Sequence, residues 1–151
     1  MAGNLTLDQD FKEFIESLNA CDVQYLVVGG YALAAHGRPR YTKDLDVWLA
    51  QTPDNAEKLV KALERFGFQS LGLQAADFLV PNQVIQLGNA PVRIDLLTSV
   101  SGITFDQCFP NRMVVTIDEI PVNFVDLENL KKNKRASGRL QDLADVEALE
   151  S

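Results

Sequence analysis

The chain has 151 residues, 46% hydrophobic and 23% charged, with a formal net charge of −7. These values suit one globular domain with a core of its own and exclude a disordered, collagen-like or low-complexity chain. The acidic balance argues against duplex nucleic acid as a partner, with no sequence-specific DNA binding expected, and no apolar run reaches the roughly 18 residues of a membrane span. The first ten residues lack the basic and apolar regions of a signal peptide. Cys21 and Cys108 stand far apart and form no metal-spaced cluster. A reduced, cytoplasmic chain is expected.

In chain order, the first helix is predicted from Leu7 to about Asn19, with Thr6 as N-cap and Gln9 at capping-box spacing. Phe11, Phe14, Ile15 and Leu18 form its apolar stripe. Val23 to Val28 reads as a buried strand that stops at Gly29-Gly30, and Tyr31 to His36 as a short helical turn. Arg38-Pro39-Arg40 is a loop. Asp44 to Leu49 alternates strictly: Leu45, Val47 and Leu49 on one face, Asp44, Asp46 and Trp48 on the other. Thr52-Pro53 starts a helix that runs to about Phe66 and ends at Gly67. Strands are expected at Phe68 to Leu73, Val84 to Leu87 and Val92 to Thr98. A hairpin of Met113 to Ile117 and Ile120 to Val125 turns at Asp118-Glu119. Helices follow at Leu127 to about Ala136 and Leu140 to Glu150, separated near Gly138. Strands and helices intermix, so the fold class is α/β or α+β in a single domain over residues 1–151.

Three carboxylates are the candidates for chemistry. Asp44 and Asp46 are two apart on a strand and project from one face. Two ionised carboxylates about 4 Å apart repel by roughly 4 kcal/mol at an effective dielectric near 20, so such a pair calls for a cation or for solvent. Hard oxygen ligands suit Mg²⁺. Asp95, in Arg93-Ile94-Asp95-Leu96-Leu97, is a third carboxylate in an apolar strand, where Asp is depleted. If the two strands are neighbours, three carboxylates converge and can hold two metal ions. Otherwise Asp44 and Asp46 are solvated, and Asp95 pairs with a nearby cation or lies at an edge.

The Gly29-Gly30 bend after an apolar strand lets the backbone approach a ligand, and the helix after it offers N–H groups to an anion. It is not a P-loop, lacking Gly-Lys-Ser/Thr, nor a dinucleotide fingerprint, lacking the third glycine. Basic residues gather in two places: Arg38, Arg40 and Lys43, then Lys131, Lys132, Lys134, Arg135 and Arg139. Helical spacing would put Lys131, Lys134 and Arg135 on one face and Lys132 elsewhere. His36, the single histidine, reads as a capping or surface residue. Trp48, Tyr31 and Tyr41 read first as packing residues, although Trp48 shares the face of Asp44 and Asp46. Asp142 and Asp145 read as first-turn acids or as partners of Arg139.

An apolar strand ending in Gly29-Gly30, then Asp44-Leu45-Asp46-Val47, then Asp95 in a later strand resembles the nucleotidyltransferase superfamily that includes DNA polymerase beta. The stretch from Asp126 to Leu149, with its Lys-bearing helix, Arg139 and Asp-Leu helix, looks like the end of small bacterial nucleotidyltransferases and of AbiEii-type toxins. The resemblance covers Val23 to Leu49, Val92 to Leu97 and Asp126 to Leu149, and leaves Gln51 to Ala90 unmatched.

It implies a nucleotidyltransferase fold: a mixed, twisted sheet flanked by helices, with C-terminal helices. It assigns Asp44, Asp46 and Asp95 as metal-binding catalytic carboxylates, with Asp95 also helping to activate the attacking hydroxyl. Gly29 and Gly30 would pack against a nucleoside triphosphate, expected to be ATP, with Thr42 and Lys43 near its phosphates. Lys131, Lys134 and Arg139 would neutralise phosphate charge. Two Mg²⁺ ions would serve transfer of a nucleoside monophosphate to an acceptor: a partner protein, as in toxin–antitoxin pairs, a small molecule or a tRNA end. The competing expectation is a nucleotide-binding or protein-interaction module that keeps the fold without the activity.

Overall fold

A computed structural model describes residues 7–38, 44–67, 72–89 and 92–150. The first helix, α1 (Gln9–Ala20), is capped by Asp8, whose carboxylate accepts from the Asp10 N–H. The cap expected at Thr6 lies outside the described residues; Asp8 fills that role, as an N-cap aspartate can. The apolar stripe is as read, with Phe11, Phe14, Ile15 and Leu18 all buried. Val23 stays out of the strand because its N–H closes the end of α1 on the Leu18 carbonyl, at 3.0 Å.

Strand β1 (Tyr25–Val28) is buried throughout. Helix α2 (Gly29–Ala35) follows without a linker and starts two residues earlier than Tyr31. Strand β2 (Asp44–Leu49) buries Leu45 and Val47 and leaves Asp44 and Asp46 half-exposed. The alternation fails at Trp48, which is buried. Helix α3 (Pro53–Phe66) has the foreseen caps: Thr52 accepts from the Asn55 N–H, and Gly67 takes a left-handed conformation at φ 106°.

The strand expected at Phe68 to Leu73 has residues 68–71 outside the described set. Gly72 and Leu73 are not in a strand, and Gly72 has φ 67°, incompatible with an extended run. A 3₁₀ turn at Ala75–Phe78 comes next. Strands β3 (Val84–Asn89) and β4 (Val92–Leu97) form a hairpin. A short helix that the sequence did not announce, α4 (Phe105–Cys108), packs Phe105 edge-on against Trp48, with centroids 5.3 Å apart. Strands β5 (Met113–Ile117) and β6 (Ile120–Phe124) turn through Asp118 and Glu119, both at positive φ as a two-residue hairpin turn of this hand requires. Helices α5 (Leu127–Ser137) and α6 (Leu140–Glu150) close the chain around Gly138 at φ 69°.

Among the described residues the sheet has six strands in the order β3-β4-β2-β1-β6-β5. It is mixed: β2 runs parallel to β4 and β1 parallel to β6, while β1–β2, β3–β4 and β5–β6 are antiparallel. The α/β fold class expected from the sequence is the one observed. The core joins both central strands to α1 and α3 through Phe14, Leu18, Leu26, Leu45, Leu59 and Leu96, all at 0% exposure. Cys108 lies in this core, and Cys21 packs at its margin. Among the described residues, no helix is long and apolar enough to cross a membrane.

Candidate active site

The parallel pairing of β2 with β4 sets Asp46 opposite Asp95 and Asp44 opposite Arg93. Residues opposite one another in a ladder share a face, so the pleat brings Asp44, Asp46, Arg93 and Asp95 onto one patch. Asp95 is buried at 7% exposure. The three carboxylates named from the sequence are therefore neighbours, and Arg93 stands among them.

Arg93 bridges two of them. Its Nη2 donates to Asp44 Oδ2 at 2.7 Å, and its Nε donates to Asp95 Oδ1 at 3.0 Å. A further bond runs from Nη2 to Asp95 Oδ2 at 3.2 Å. Hydrogen bonding to Asp95 holds the guanidinium pKa above its ordinary value. Asp46 shows the opposite strain. Burial, reinforced by the charges of Asp95 and Asp44 and only partly offset by Arg93, pushes its pKa up to about 7. Arg93 was missed in the sequence, although period two puts it on the same strand face as Asp95.

The glycine bend lies against this patch. Gly29 has φ 71°, and a Cβ there would collide with the Asp46 carboxylate, reaching its Cγ at 3.1 Å. Glycine is required at 29 on both counts. Gly30 has no positive φ and simply continues α2.

A cavity of about 380 Å³ opens between this patch and the C-terminal helices. Gly29, Asp46, Ser99, Ser101, Lys134 and Arg139 are among the residues that line it. The structure gathers Gly29, Asp46, Lys134 and Arg139 around one space, while Gly30, Asp44 and Asp95 do not line it. Their charges are differently disposed than expected. Lys134 is buried, and its Nζ donates to Asp142 Oδ1 at 3.3 Å and Asp145 Oδ2 at 3.0 Å. Arg139 Nε donates to Asp142 Oδ2 at 2.8 Å from a side chain that is 78% exposed. Burial alone would raise the Asp142 pKa; bonds from Ser137 and Arg139 and the Lys134 charge outweigh it, and the net shift is downward. Asp142 and Asp145 are thus ion-pair partners, not merely first-turn acids.

Other assignments part from the site. Lys131 pairs with Glu128 at 3.7 Å and does not line the cavity. Arg135 does not share the setting of Lys134: it is exposed and reaches Glu150 at 2.8 Å, because α6 packs over Lys134 and leaves Arg135 at its edge. Thr42 and Lys43, with Arg40 and Tyr41, lie outside the described residues. His36 caps α2 and donates from Nε2 to the Val125 carbonyl at 2.8 Å. Tyr31 packs edge-on against Phe11.

On charge, the donor set fits a divalent cation: three carboxylates share a face with one guanidinium, and burial first, then the charges of Asp95 and Asp44, raises the Asp46 pKa. Among the described residues, no three His, Cys, Asp or Glu side chains already stand as a metal cage.

No family model matches the chain, and no curated protein matches it. Solved structures do. The chain is 13% identical to a candidate nucleotidyltransferase of Thermotoga maritima, over 93% of this chain and 88% of that one, with a TM-score of 0.56. It is 15% identical to an antigenic nucleotidyltransferase-like protein of Paracoccidioides brasiliensis, over 95% and 77%, at 0.55. It is 12% identical to the lincosamide antibiotic adenylyltransferase LnuA in its lincomycin-bound form, over 98% and 99%, at 0.56. Six strands in a mixed sheet, flanked by helices and closed by a C-terminal helix pair, give this chain the nucleotidyltransferase fold.

Proposed function

We propose that the chain transfers a nucleoside monophosphate from a nucleoside triphosphate, with ATP the expected donor, to an acceptor hydroxyl or phosphate. The observation that carries this reading is the β2–β4 register, which sets Asp46 beside Asp95 with Asp44 on the same face and Gly29 against Asp46.

Asp44, Asp46 and Asp95 would hold Mg²⁺, two ions once the triphosphate is present. When bound, the metal supplies neutralisation of phosphate charge and a more acidic acceptor oxygen. In the transfer, the acceptor oxygen bonds to the α-phosphorus as the bond to the leaving pyrophosphate breaks. Asp95 would help to activate the acceptor hydroxyl, once its oxygens are released from Arg93. Gly29 lets the bend pack directly on Asp46, where any side chain would strike the carboxylate. The exposed guanidinium of Arg139 offers its outer nitrogens to the triphosphate, while Lys134, tied to two carboxylates, lends field more than a free charge. Catalysis on this plan is alignment plus electrostatics, with no side-chain nucleophile.

The acceptor is a small molecule or a partner protein rather than tRNA, since a net charge of −7 disfavours RNA. The end-to-end likeness to an antibiotic adenylyltransferase supports the small molecule; a protein acceptor would fit a toxin–antitoxin pair. The reaction belongs to the cytoplasm, where Cys21 and Cys108 stay reduced. The bridging of Asp44 and Asp95 by Arg93 favours one second reading, a nucleotide-binding module without turnover.

Incubation with α-labelled ATP, Mg²⁺ and fractionated cell lysate tests this. Label should move to one acceptor class with pyrophosphate released. Asp95→Asn should cut the rate by at least about a hundredfold. No transfer in any fraction, with nucleotide binding intact, selects the binding module.

A further inference from the structure

The carboxylate patch has a cation of its own. Arg93 is on β4, in register with Asp44 and two residues before Asp95. Its planar fork engages one oxygen of Asp44 and both oxygens of Asp95. The residues in register on the flanking strands, Val28 opposite Asp46 and Gln86 opposite Asp95, bring no charge. Arg93 is half-buried and answers only part of the negative charge, leaving Asp46 under strain.

A divalent ion shared by these side chains needs the same oxygens. Mg²⁺ and Mn²⁺ bind carboxylate oxygen directly, and an oxygen engaged by a guanidinium must give up or share that bond. Breaking a partly buried Arg–carboxylate pair is costly. Arg93 is also fixed as a cation at any accessible pH, so it cannot leave by losing a proton.

Building on the metal-site reading above, we infer that Arg93 is a built-in counter-cation that competes with divalent metal for Asp44 and Asp95. It keeps the carboxylates together in the metal-free chain and restrains metal loading. Arg93 is a positioning residue in this scheme, acting through the carboxylates.

Mn²⁺ binding to the full chain without nucleotide, followed by electron paramagnetic resonance, tests the inference. Arg93→Gln should bind Mn²⁺ at least about tenfold more tightly than the unaltered chain. Arg93→Lys keeps the charge but loses the planar fork that engages Asp44 and both oxygens of Asp95 together, and should fall between. Adding Asp46→Asn in each background should weaken binding, tying the signal to this patch. Equal or weaker binding by Arg93→Gln, with the signal still sensitive to Asp46, overturns the role of Arg93 and leaves the metal site standing. Binding indifferent to Asp46 in every background overturns both. Should Arg93→Gln lose its folded circular-dichroism spectrum, Arg93→Lys decides: tighter binding supports the inference, and unchanged or weaker binding overturns it.

Discussion

Asp46 is where sequence, packing and chemistry conflict most. Its unperturbed pKa of 3.8 rises to about 7 in the folded chain, first through burial and then through two like charges. A raised carboxylate pKa means that the folded state favours the proton. Its contribution to stability is therefore full below about pH 4, declines as pH climbs toward 7, and is lost above. In the metal-free chain, Asp46→Asn should raise the melting temperature at pH 8 and leave it nearly unchanged at pH 4. After allowance for partial exposure, the gain should be on the order of 2 kcal/mol. Thermal melts in EDTA at both pH values check this, and a lower melting temperature for the variant at pH 8 would contradict it. The three aspartates were legible because a carboxylate in an apolar strand is anomalous. Arg93 obeys the same period-two rule but draws no notice, since a cation beside a strand is ordinary. Gly29 was legible as a bend, but its clash with Asp46 depends on a contact between distant segments.

At the level of elements, α5 and α6 form an ion-paired corner. Lys134 sits between Asp142 and Asp145, and Ser137 and Arg139 also bond to Asp142. Lys134→Met removes the cation shared by two buried carboxylates, which keep their bonds from Ser137, Arg139 and Gln141, and should cost about 1.5–3 kcal/mol, read from urea unfolding. A midpoint equal to that of the unaltered chain would show the corner to be slack. The extents of both helices were readable in the sequence, with the break at Gly138. The destination of Lys134 was not, because spacing along α5 says which residues share a face and nothing of what α6 brings to it. The β2–β4 pairing was hidden for the same reason: alternation marks the inward face of each strand, while strand order depends on contacts remote in sequence. Trp48 breaks the alternation of β2 because α4, unforeseen, supplies Phe105 to cover it.

For the whole molecule, the glycine bend, Asp46 of β2 and the C-terminal corner meet around one cavity, and Asp44 and Asp95 adjoin Asp46 on the sheet face beside it. An acidic chain with three clustered carboxylates repels a triphosphate unless a divalent ion intervenes, so nucleotide affinity should depend on metal and on those carboxylates together. Calorimetric titration of a non-hydrolysable ATP analogue, with Mg²⁺ or with EDTA, measures this directly. The unaltered chain should bind the analogue only with Mg²⁺, and Asp46→Asn and Asp95→Asn should each weaken binding by at least about tenfold, or 1.4 kcal/mol. Equal affinity in EDTA, or variants that bind as tightly as the unaltered chain, would contradict a metal–triphosphate site at these residues.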